Sequence, residues 1–326
     1  MPTPPALPDA PLAEMPLPGP GVPAGPGTGP EPADSLTTRL RVSRRARQNE
    51  KILQEKEAEQ NARPPEAPPA SVPGAGFLER AGGLFGFVGQ FFSRVWRRPF
   101  EFKELLKQMD EVGSRSLMLT GVVGFSIGLV LAMQSRGTLA RFGAESFLPS
   151  MLALSVFKEI GPVLTGLVLA GRLGAGMGAE LGSMRVTEQI DALDVAALKP
   201  FHYLVVTRVL ACVIMFPVMT MLTDTLAMTG GFLEAMLADG MDYRVFIDTA
   251  FDTMRFSDVI VGTMKTSVFG FIVGIVSCYL GYTVRGGTRE VGQAAMQAVV
   301  VSSLLILIAD VVIVRVSLLF FGDVSG

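Results

Sequence analysis

The sequence predicts an all-α membrane protein, in which an N-terminal interfacial helix is followed by five transmembrane helices. Its 326 residues are 49% hydrophobic and only 18% charged, below the roughly 25% charged residues of an average soluble domain. The mean hydropathy is +0.43. Several stretches of about 20 residues carry no charge, and this is the length that an α-helix needs to cross a bilayer. These observations indicate a membrane protein rather than a soluble enzyme.

Residues 1–75 are expected to form a disordered N-terminal tail. Seventeen of the 22 prolines lie within the first 73 residues, interleaved with glycine and alanine. Such a segment cannot bury enough apolar surface to offset the entropy lost on ordering. Residues 37–63 are rich in charge, which permits a short solvated helix but no core.

Residues 76–115 are expected to form an interfacial or elbow helix region ahead of the membrane domain. Apolar residues recur there at helical spacing, and basic residues cluster near Trp96. The apolar positions are Leu84, Phe87, Val88, Phe91 and Val95, and the basic ones are Arg94, Arg97 and Arg98. The pattern favours a helix lying in the membrane interface, although an ordinary helix packed on the protein would show the same stripe.

Five apolar stretches follow and define a membrane domain over residues 116–326. They lie at about 116–135, 147–173, 203–229, 258–284 and 293–321. With the N-terminus inside, the inner flanks and loops hold twelve Lys and Arg residues, whereas the outer loops hold four. The positive-inside rule therefore predicts a cytoplasmic N-terminus and a periplasmic C-terminus.

Five charged residues that fall within these stretches are candidates for function: Lys158, Glu159, Lys265, Asp310 and Arg315. A charge at the centre of a membrane helix costs roughly 2.5–3.5 kcal/mol on insertion scales, so each one needs a partner, a wet cavity or a function. The predicted topology places all five between the middle of the membrane and its outer face. Two arrangements fit this placement. One is a polar patch for the charged head of an amphiphile, and the other is a set of ion pairs such as Lys265 with Asp310, with Arg315 reaching the interface.

Other function classes find little support in the residues. The chain has no G-x-x-x-x-G-K-[ST] motif to hold nucleotide phosphates, so we expect no ATP hydrolysis by the chain itself. Cys212 and Cys278 lie in apolar stretches without metal-ligand spacing, and there is a single histidine. We therefore expect no metal, no cofactor and no catalytic residue. The basic residues form no stripe laced with aromatic residues, which argues against nucleic acid as a partner.

A short amphipathic segment lies in the predicted cytoplasmic loop at residues 184–200. Its modest apolar face consists of Ile190, Leu193 and Ala197, and its polar face of Glu188, Asp191 and Asp194. A helix of this kind between two spans can hold a soluble motor protein. An ordinary solvated loop helix has the same pattern.

Residues 158–193 read KEIGPVLTGLVLAGRLGAGMGAELGSMRVTEQIDAL. This run resembles the signature of the MlaE (YrbE) permease family, E-x-G-P-V-x-x-x-L-x-x-A-G-R-x-G-x-x-x-x-A-E-x-G-x-M-x-x-T-E-Q, and matches each of its fixed positions. A looser resemblance extends from about residue 100 to the C-terminus. The start of the fifth span departs from the family pattern, because Glu290, Met296 and Gln297 stand where other residues are usual.

The resemblance implies a membrane subunit of an ABC-type transporter that moves phospholipid or a related lipid between membranes. It implies a homodimer with two copies of a separate ATPase, an MCE-domain protein outside the membrane and, in some members, a STAS-domain protein. The ATPase-coupling residues would be Thr187, Glu188, Gln189 and Asp191. Glu159 would face the lipid cavity, with Lys158 and Lys265 beside it. The expected location is the bacterial inner membrane, with a plastid envelope as the alternative.

Two other functions stay open at this point. A stand-alone ion- or proton-coupled carrier would use Glu159 and Asp310 as titrating groups and would need no soluble partner. A lipid-modifying membrane enzyme would need histidine, reactive cysteine or metal motifs, which the sequence does not supply.

Overall fold

The computed structural model describes residues 75–96, 101–196 and 199–321, and this part of the chain is helical with short connections. Its helices are α1 (Ala75–Val95), α2 (Phe102–Arg141), α3 (Glu145–Val186), α4 (Gln189–Val195), α5 (Phe201–Asp239), α6 (Tyr243–Asp252), α7 (Phe256–Tyr282) and α8 (Thr288–Phe321). The tail expected at residues 1–75 lies outside the described residues except for its last residue. Arg97 and Arg98 lie outside them too.

Within the described residues, five helices are long and apolar enough to cross a membrane, which confirms the predicted number. They are α2, α3, α5, α7 and α8, and each contains one of the predicted stretches or nearly all of it. Three of them, α2, α3 and α5, extend well beyond those stretches. Charged residues at a helix end do not raise the hydropathy, but their backbone groups continue the hydrogen bonds of the helix. In α2, for example, Glu111 and Arg115 pair one turn apart at 2.5 Å. Residues 102–115, which the sequence places in the elbow region, are thus the first turns of α2.

Among the described residues, the most extensive contact between two helices joins α2 to α5. Glycines permit this close approach: a Cβ on Gly128 would lie 1.8 Å from the Ala227 carbonyl oxygen, and one on Gly230 would lie 2.2 Å from the Phe125 carbonyl oxygen. Small residues four apart commonly serve this purpose in membranes, where lipid supplies no hydrophobic driving force between helices. Glycine at these positions therefore sets the distance between α2 and α5.

A second glycine face, on the last turns of α3, packs against α8. A Cβ on Gly178 would lie 3.1 Å from Ala295 Cα, and one on Gly182 would lie 3.3 Å from a Val291 methyl carbon. The start of α8, where the sequence departs from the family pattern, is stabilised by its own residues. The Glu290 carboxylate accepts a hydrogen bond from the Gly287 backbone N–H at 3.0 Å. Glu290 thus satisfies an N–H group at the beginning of the helix.

The apolar stripe of α1 faces the bundle. Phe87 packs edge-on against Phe201 and Tyr279, with ring centroids 4.9 and 5.5 Å apart. Arg94 stacks over the Phe201 ring at 4.6 Å. Phe85, Phe92 and Trp96 are exposed on the remainder of the helix. The predicted stripe is therefore a packing face, and the exposed aromatic residues are the part of α1 that can contact lipid.

Two short helices lie at opposite ends of the bundle, because the spanning helices that precede them cross it in opposite directions. At one end α4 follows α3, anchored by the buried Ile190. At the other end α6 follows α5, with Phe246 buried against the first turns of α3. The Asp242 carboxylate caps α6 by accepting the Arg244 backbone N–H at 3.1 Å.

The glycine contact between α2 and α5 leads to a first prediction. We expect Gly128→Ala to lower the free energy of unfolding by about 1–3 kcal/mol, since its methyl group would overlap the Ala227 carbonyl oxygen. Gly137→Ala is the matched control on the same helix, because no atom lies within 4 Å of a Cβ there. Thermal unfolding in detergent measures both. Equal melting temperatures for the two variants would contradict the packing described for α2 and α5.

Candidate functional site

A cavity of about 620 Å³ with several polar lining residues lies between α3, α7 and α8. The charged side of its lining is formed by α3 and α7, whereas α8 contributes three aliphatic residues and a serine. The lining residues are Leu154, Lys158, Glu159, Thr253, Arg255, Ser257, Asp258, Val261, Gly262, Lys265, Ile313, Val314, Ser317 and Leu318. All three residues that the sequence places at a lipid cavity are therefore among them. This cavity lies near the end of the bundle that carries α6.

Lys265 is the buried centre of the charged side. Its ammonium nitrogen lies 2.8 Å from a Glu159 carboxylate oxygen and 2.9 Å from an Asp310 carboxylate oxygen. The Lys265 side chain is 2% exposed, whereas that of Glu159 is 46% exposed. The lysine is thus fully compensated inside the protein, and of the two cluster members that line the cavity, Glu159 is the more exposed. The ion pair of Lys265 with Asp310 is the one that the sequence suggested.

A second ion pair lies at the mouth of the cavity. Lys158 Nζ lies 3.2 Å from an Asp258 carboxylate oxygen, and the Lys158 side chain is half-exposed. Arg255 lies beside it, at the start of α7. Arg255 is one of the four basic residues that the sequence places in the outer loops. Asp258 is not among the candidates from the sequence. Arg315, the fifth intramembrane charge, is exposed and does not line the cavity.

The backbone of α3 widens where it carries Lys158 and Glu159. Residues Val156–Ile160 form a turn of π-helix, in which the Gly161 N–H donates to the Val156 carbonyl five residues earlier. Pro162 follows, and its lack of an N–H removes one donor from the next position of the helix. Single π-turns of this kind are often found at functional sites. Here the turn places adjacent side chains in separate ion pairs, Lys158 with α7 and Glu159 with Lys265.

This π-turn is held between two close helix contacts. On one side a Cβ on Gly262 of α7 would lie 2.1 Å from the Phe157 carbonyl oxygen. On the other side a Cβ on Gly161 would lie 1.7 Å from an Asp224 carboxylate oxygen of α5. Glycine is required at both positions because a neighbouring helix occupies the volume that a side chain would take.

Asp224 lies within the third predicted span and is not among the candidate residues that the sequence singles out. It is 1% exposed, and neither carboxylate oxygen has a hydrogen-bond donor among the described residues. A charge inside an apolar stretch was the available signal, but its position in the sequence did not show that it faces the π-turn.

A polar network lies toward the other end of the bundle and connects α2, α3 and α5. The buried Arg208 guanidinium contacts a Glu180 carboxylate oxygen at 2.7 Å and donates to the Leu204 carbonyl at 3.0 Å. The Tyr203 hydroxyl donates to Glu104 at 3.1 Å, and Arg172 donates to the Ser116 hydroxyl. Arg172 and Glu180 are fixed positions of the signature in α3, so this part of the signature consists of contacts between helices.

The four predicted coupling residues lie together at the start of α4. Thr187, Glu188 and Gln189 are exposed, and so is Asp191, whose carboxylate accepts from Arg185 at 2.6 Å. Glu188 has φ = 57°, the one positive φ of a non-glycine residue in the described ranges. The chain therefore turns sharply from α3 into α4 at Glu188 and presents an exposed, acidic corner.

No group of three or more histidine, cysteine, aspartate or glutamate side chains is arranged to hold a metal ion in the part of the chain that the structure describes. Cys212 and Cys278 are both buried, in the hydrophobic core of the bundle.

Comparison with known proteins shows to which family this architecture belongs. The family model described as "Permease MlaE" matches residues 105–316. This chain belongs to the MlaE permease family. The matched region contains α4 and all of the cavity lining except Ser317 and Leu318, and it leaves out α1. The family membership that the signature indicated is thereby confirmed.

Individual relatives show the same relation along most of their length. A probable ABC transporter permease protein of Rickettsia typhi is 38% identical over 230 residues, which cover 71% of this chain and 88% of the relative. The intermembrane phospholipid transport system permease protein MlaE of Haemophilus influenzae is 33% identical over 241 residues, covering 73% and 92%. The chloroplastic protein TRIGALACTOSYLDIACYLGLYCEROL 1 of Arabidopsis thaliana is 32% identical over 226 residues, covering 69% and 65%.

The buried charge cluster of this MlaE-family permease leads to a second prediction. We expect Lys265→Met to lower the free energy of unfolding by about 3–5 kcal/mol, because it leaves Asp310 and Glu159 without their cation. Lys158→Met is the matched control and should cost at most about 1 kcal/mol, since its ion pair lies at the half-exposed mouth. Thermal unfolding in detergent compares the two. A Lys265→Met protein as stable as Lys158→Met would show that the cluster carries no net stabilisation.

Proposed function

We propose that this chain is the permease subunit of an ABC-type lipid transporter that moves phospholipid or a related lipid between inner and outer membranes, driven by a separate ATPase. The observation that carries the proposal is the cavity between α3, α7 and α8 in a chain of the MlaE family. The cavity joins a charged side to an aliphatic side within a membrane-spanning bundle. An amphiphile with a charged head and apolar chains matches both sides.

In this proposal the three cavity residues have different roles. Lys158, half-exposed at the mouth, attracts an anionic headgroup by its charge. Glu159 faces the cavity and can accept hydrogen bonds from a headgroup. Lys265 is buried in the cavity wall and holds the Glu159 carboxylate in place. The aliphatic residues Leu154 and Val314 offer a surface for the acyl chains.

ATP hydrolysis would come from the separate ATPase, docked at α4. The four coupling residues Thr187, Glu188, Gln189 and Asp191 are exposed on a short helix whose Ile190 is anchored in the core. An anchored helix transmits force better than a free loop. The acidic character of this corner matches an ATPase surface that carries Lys or Arg. The name of the Rickettsia typhi relative as an ABC transporter permease supports such a partner.

The remaining partners follow from the family. Only 11% of the apolar window of α8 is buried within one chain, which leaves a broad apolar face for lipid or for a second copy. We propose a homodimer, an MCE-domain protein at the α6 end and, as in some family members, a STAS-domain protein with the ATPase. The location would be the bacterial inner membrane, with the N-terminus cytoplasmic and the C-terminus periplasmic.

The coupling assignment is tested by affinity capture from native membranes in mild detergent, followed by mass spectrometry. We expect the unaltered chain to capture an ATPase and an MCE-domain protein, and Glu188→Lys with Asp191→Lys to lose the ATPase because the acidic corner becomes basic. The matched control is Asp248→Lys with Asp252→Lys, two exposed acidic positions on α6. If the α4 variant keeps its ATPase, the coupling residues are misassigned. If the unaltered chain captures no ATPase, a stand-alone ion- or proton-coupled carrier becomes the better proposal.

The orientation is tested by single-cysteine labelling with a reagent that does not cross membranes. Both native cysteines are buried, so they give little background. We expect Asp248→Cys on α6 to react in intact cells after the outer membrane is made permeable. Asp194→Cys on α4 should react only after the inner membrane is broken. The reverse pattern would overturn the predicted topology.

A further inference from the structure

Asp224 is a buried acid that the proposed function leaves without a role. It lies within α5 at 1% exposure, and neither carboxylate oxygen has a donor among the described residues. Two hydroxyl groups within one turn of Asp224 in α5 already donate to carbonyl groups of their own helix. Thr220 donates to the Phe216 carbonyl and Thr223 to the Met219 carbonyl, both at 2.9 Å. Their hydroxyl hydrogens are therefore not available to Asp224.

The charges nearby are inconsistent with an ionised Asp224. Lys265 is the cation whose field reaches it, but Lys265 already holds the carboxylates of Glu159 and Asp310. A third ionised carboxylate would give three negative charges around one lysine in the interior of a membrane bundle. An unpaired ion buried in this way is far more costly than the neutral acid. The structure therefore fits a protonated Asp224, which is a hydrogen-bond donor as well as an acceptor.

An acceptor for that donor lies in the π-turn. The position of a Cβ on Gly161 is 1.7 Å from Asp224 Oδ1 and 2.8 Å from the Val156 carbonyl oxygen, so both oxygens crowd the same point. The Val156 carbonyl accepts the Gly161 N–H and keeps a second lone pair. Gly161 thus leaves the opening through which the acid of α5 reaches the backbone of α3.

We propose that Asp224 is a positioning residue for lipid binding: as a neutral acid it donates a hydrogen bond to the Val156 carbonyl and holds the π-turn that carries Lys158 and Glu159. Asp224 itself does not line the cavity, and its effect reaches the lipid through the turn. The effect on lipid binding rests on the proposed function, because the turn matters to transport only if the cavity binds lipid. The protonated state of Asp224 can be measured independently of that function.

Three variants test the proposal. Asp224→Asn keeps a neutral donor of the same size, Asp224→Leu keeps the size but removes the donor, and Thr220→Val is the matched control that removes a buried hydroxyl one turn away. Phospholipid retained by the purified protein is measured by mass spectrometry, together with the melting temperature. We expect Asp224→Leu to lower retention by about tenfold, the factor that corresponds to losing one buried hydrogen bond. Asp224→Asn should restore retention to near the native level, and Thr220→Val should not lower it.

Infrared spectroscopy tests the protonation directly. The difference spectrum between the native protein and Asp224→Asn should contain the carbonyl band of a protonated carboxylic acid at neutral pH, and a carboxylate band in its place would overturn the proposal. Loss of retention in Asp224→Asn at an unchanged melting temperature would also overturn it, because it would require the negative charge. If Asp224→Leu does not fold, lipid retention by Asp224→Asn and the infrared spectrum still test the role of Asp224. If the native protein retains no phospholipid, the proposed function fails, while the infrared band still decides the state of Asp224.

Discussion

The cost of placing a charge in the membrane interior is the constraint on which the cavity depends. The charge of Lys265 is compensated by two carboxylates, Glu159 of α3 at 2.8 Å and Asp310 of α8 at 2.9 Å. Three helices must therefore converge on one ammonium group, and their convergence forms the walls of the cavity. Because Glu159 remains half-exposed, the cluster presents a polar group to the cavity, while the Lys265 side chain stays buried. Structural pairing and ligand binding are thus properties of the same residues.

The backbone of α3 adapts to this cluster. A regular α-helix would point neighbouring side chains about 100° apart around its axis, whereas the π-turn shifts that direction locally. The turn departs from the usual hydrogen-bond pattern of the helix, and glycines let the adjacent helices pack closely against it. Gly262 lets α7 approach the Phe157 carbonyl, and Gly161 makes room for Asp224. The glycine and proline of the E-x-G-P motif are therefore explained by packing and hydrogen bonding around the turn.

The cavity and the proposed ATPase-coupling residues are connected by one continuous helix, α3. Glu159 is near one end of α3, and Glu188 follows its other end, about 44 Å away at 1.5 Å per residue. Between them, Arg172 and Glu180 connect α3 to α2 and α5. A movement of α4 would therefore displace α3 together with its neighbours. This arrangement offers a mechanical route from an ATPase to the cavity that needs no flexible intermediate.

The sequence alone determined the helical membrane class, the five spans and the family, because hydropathy and a long motif are local properties of the chain. It also selected Lys158, Glu159 and Lys265, since charges within apolar stretches are visible without coordinates. Only the tertiary structure showed that Asp258 pairs with Lys158, that Arg315 lies apart, and that Asp224 faces the turn at Gly161. These relations depend on the rotation and separation of helices that are distant in the sequence. Those quantities are set by glycine contacts and a π-turn, which no hydropathy pattern records.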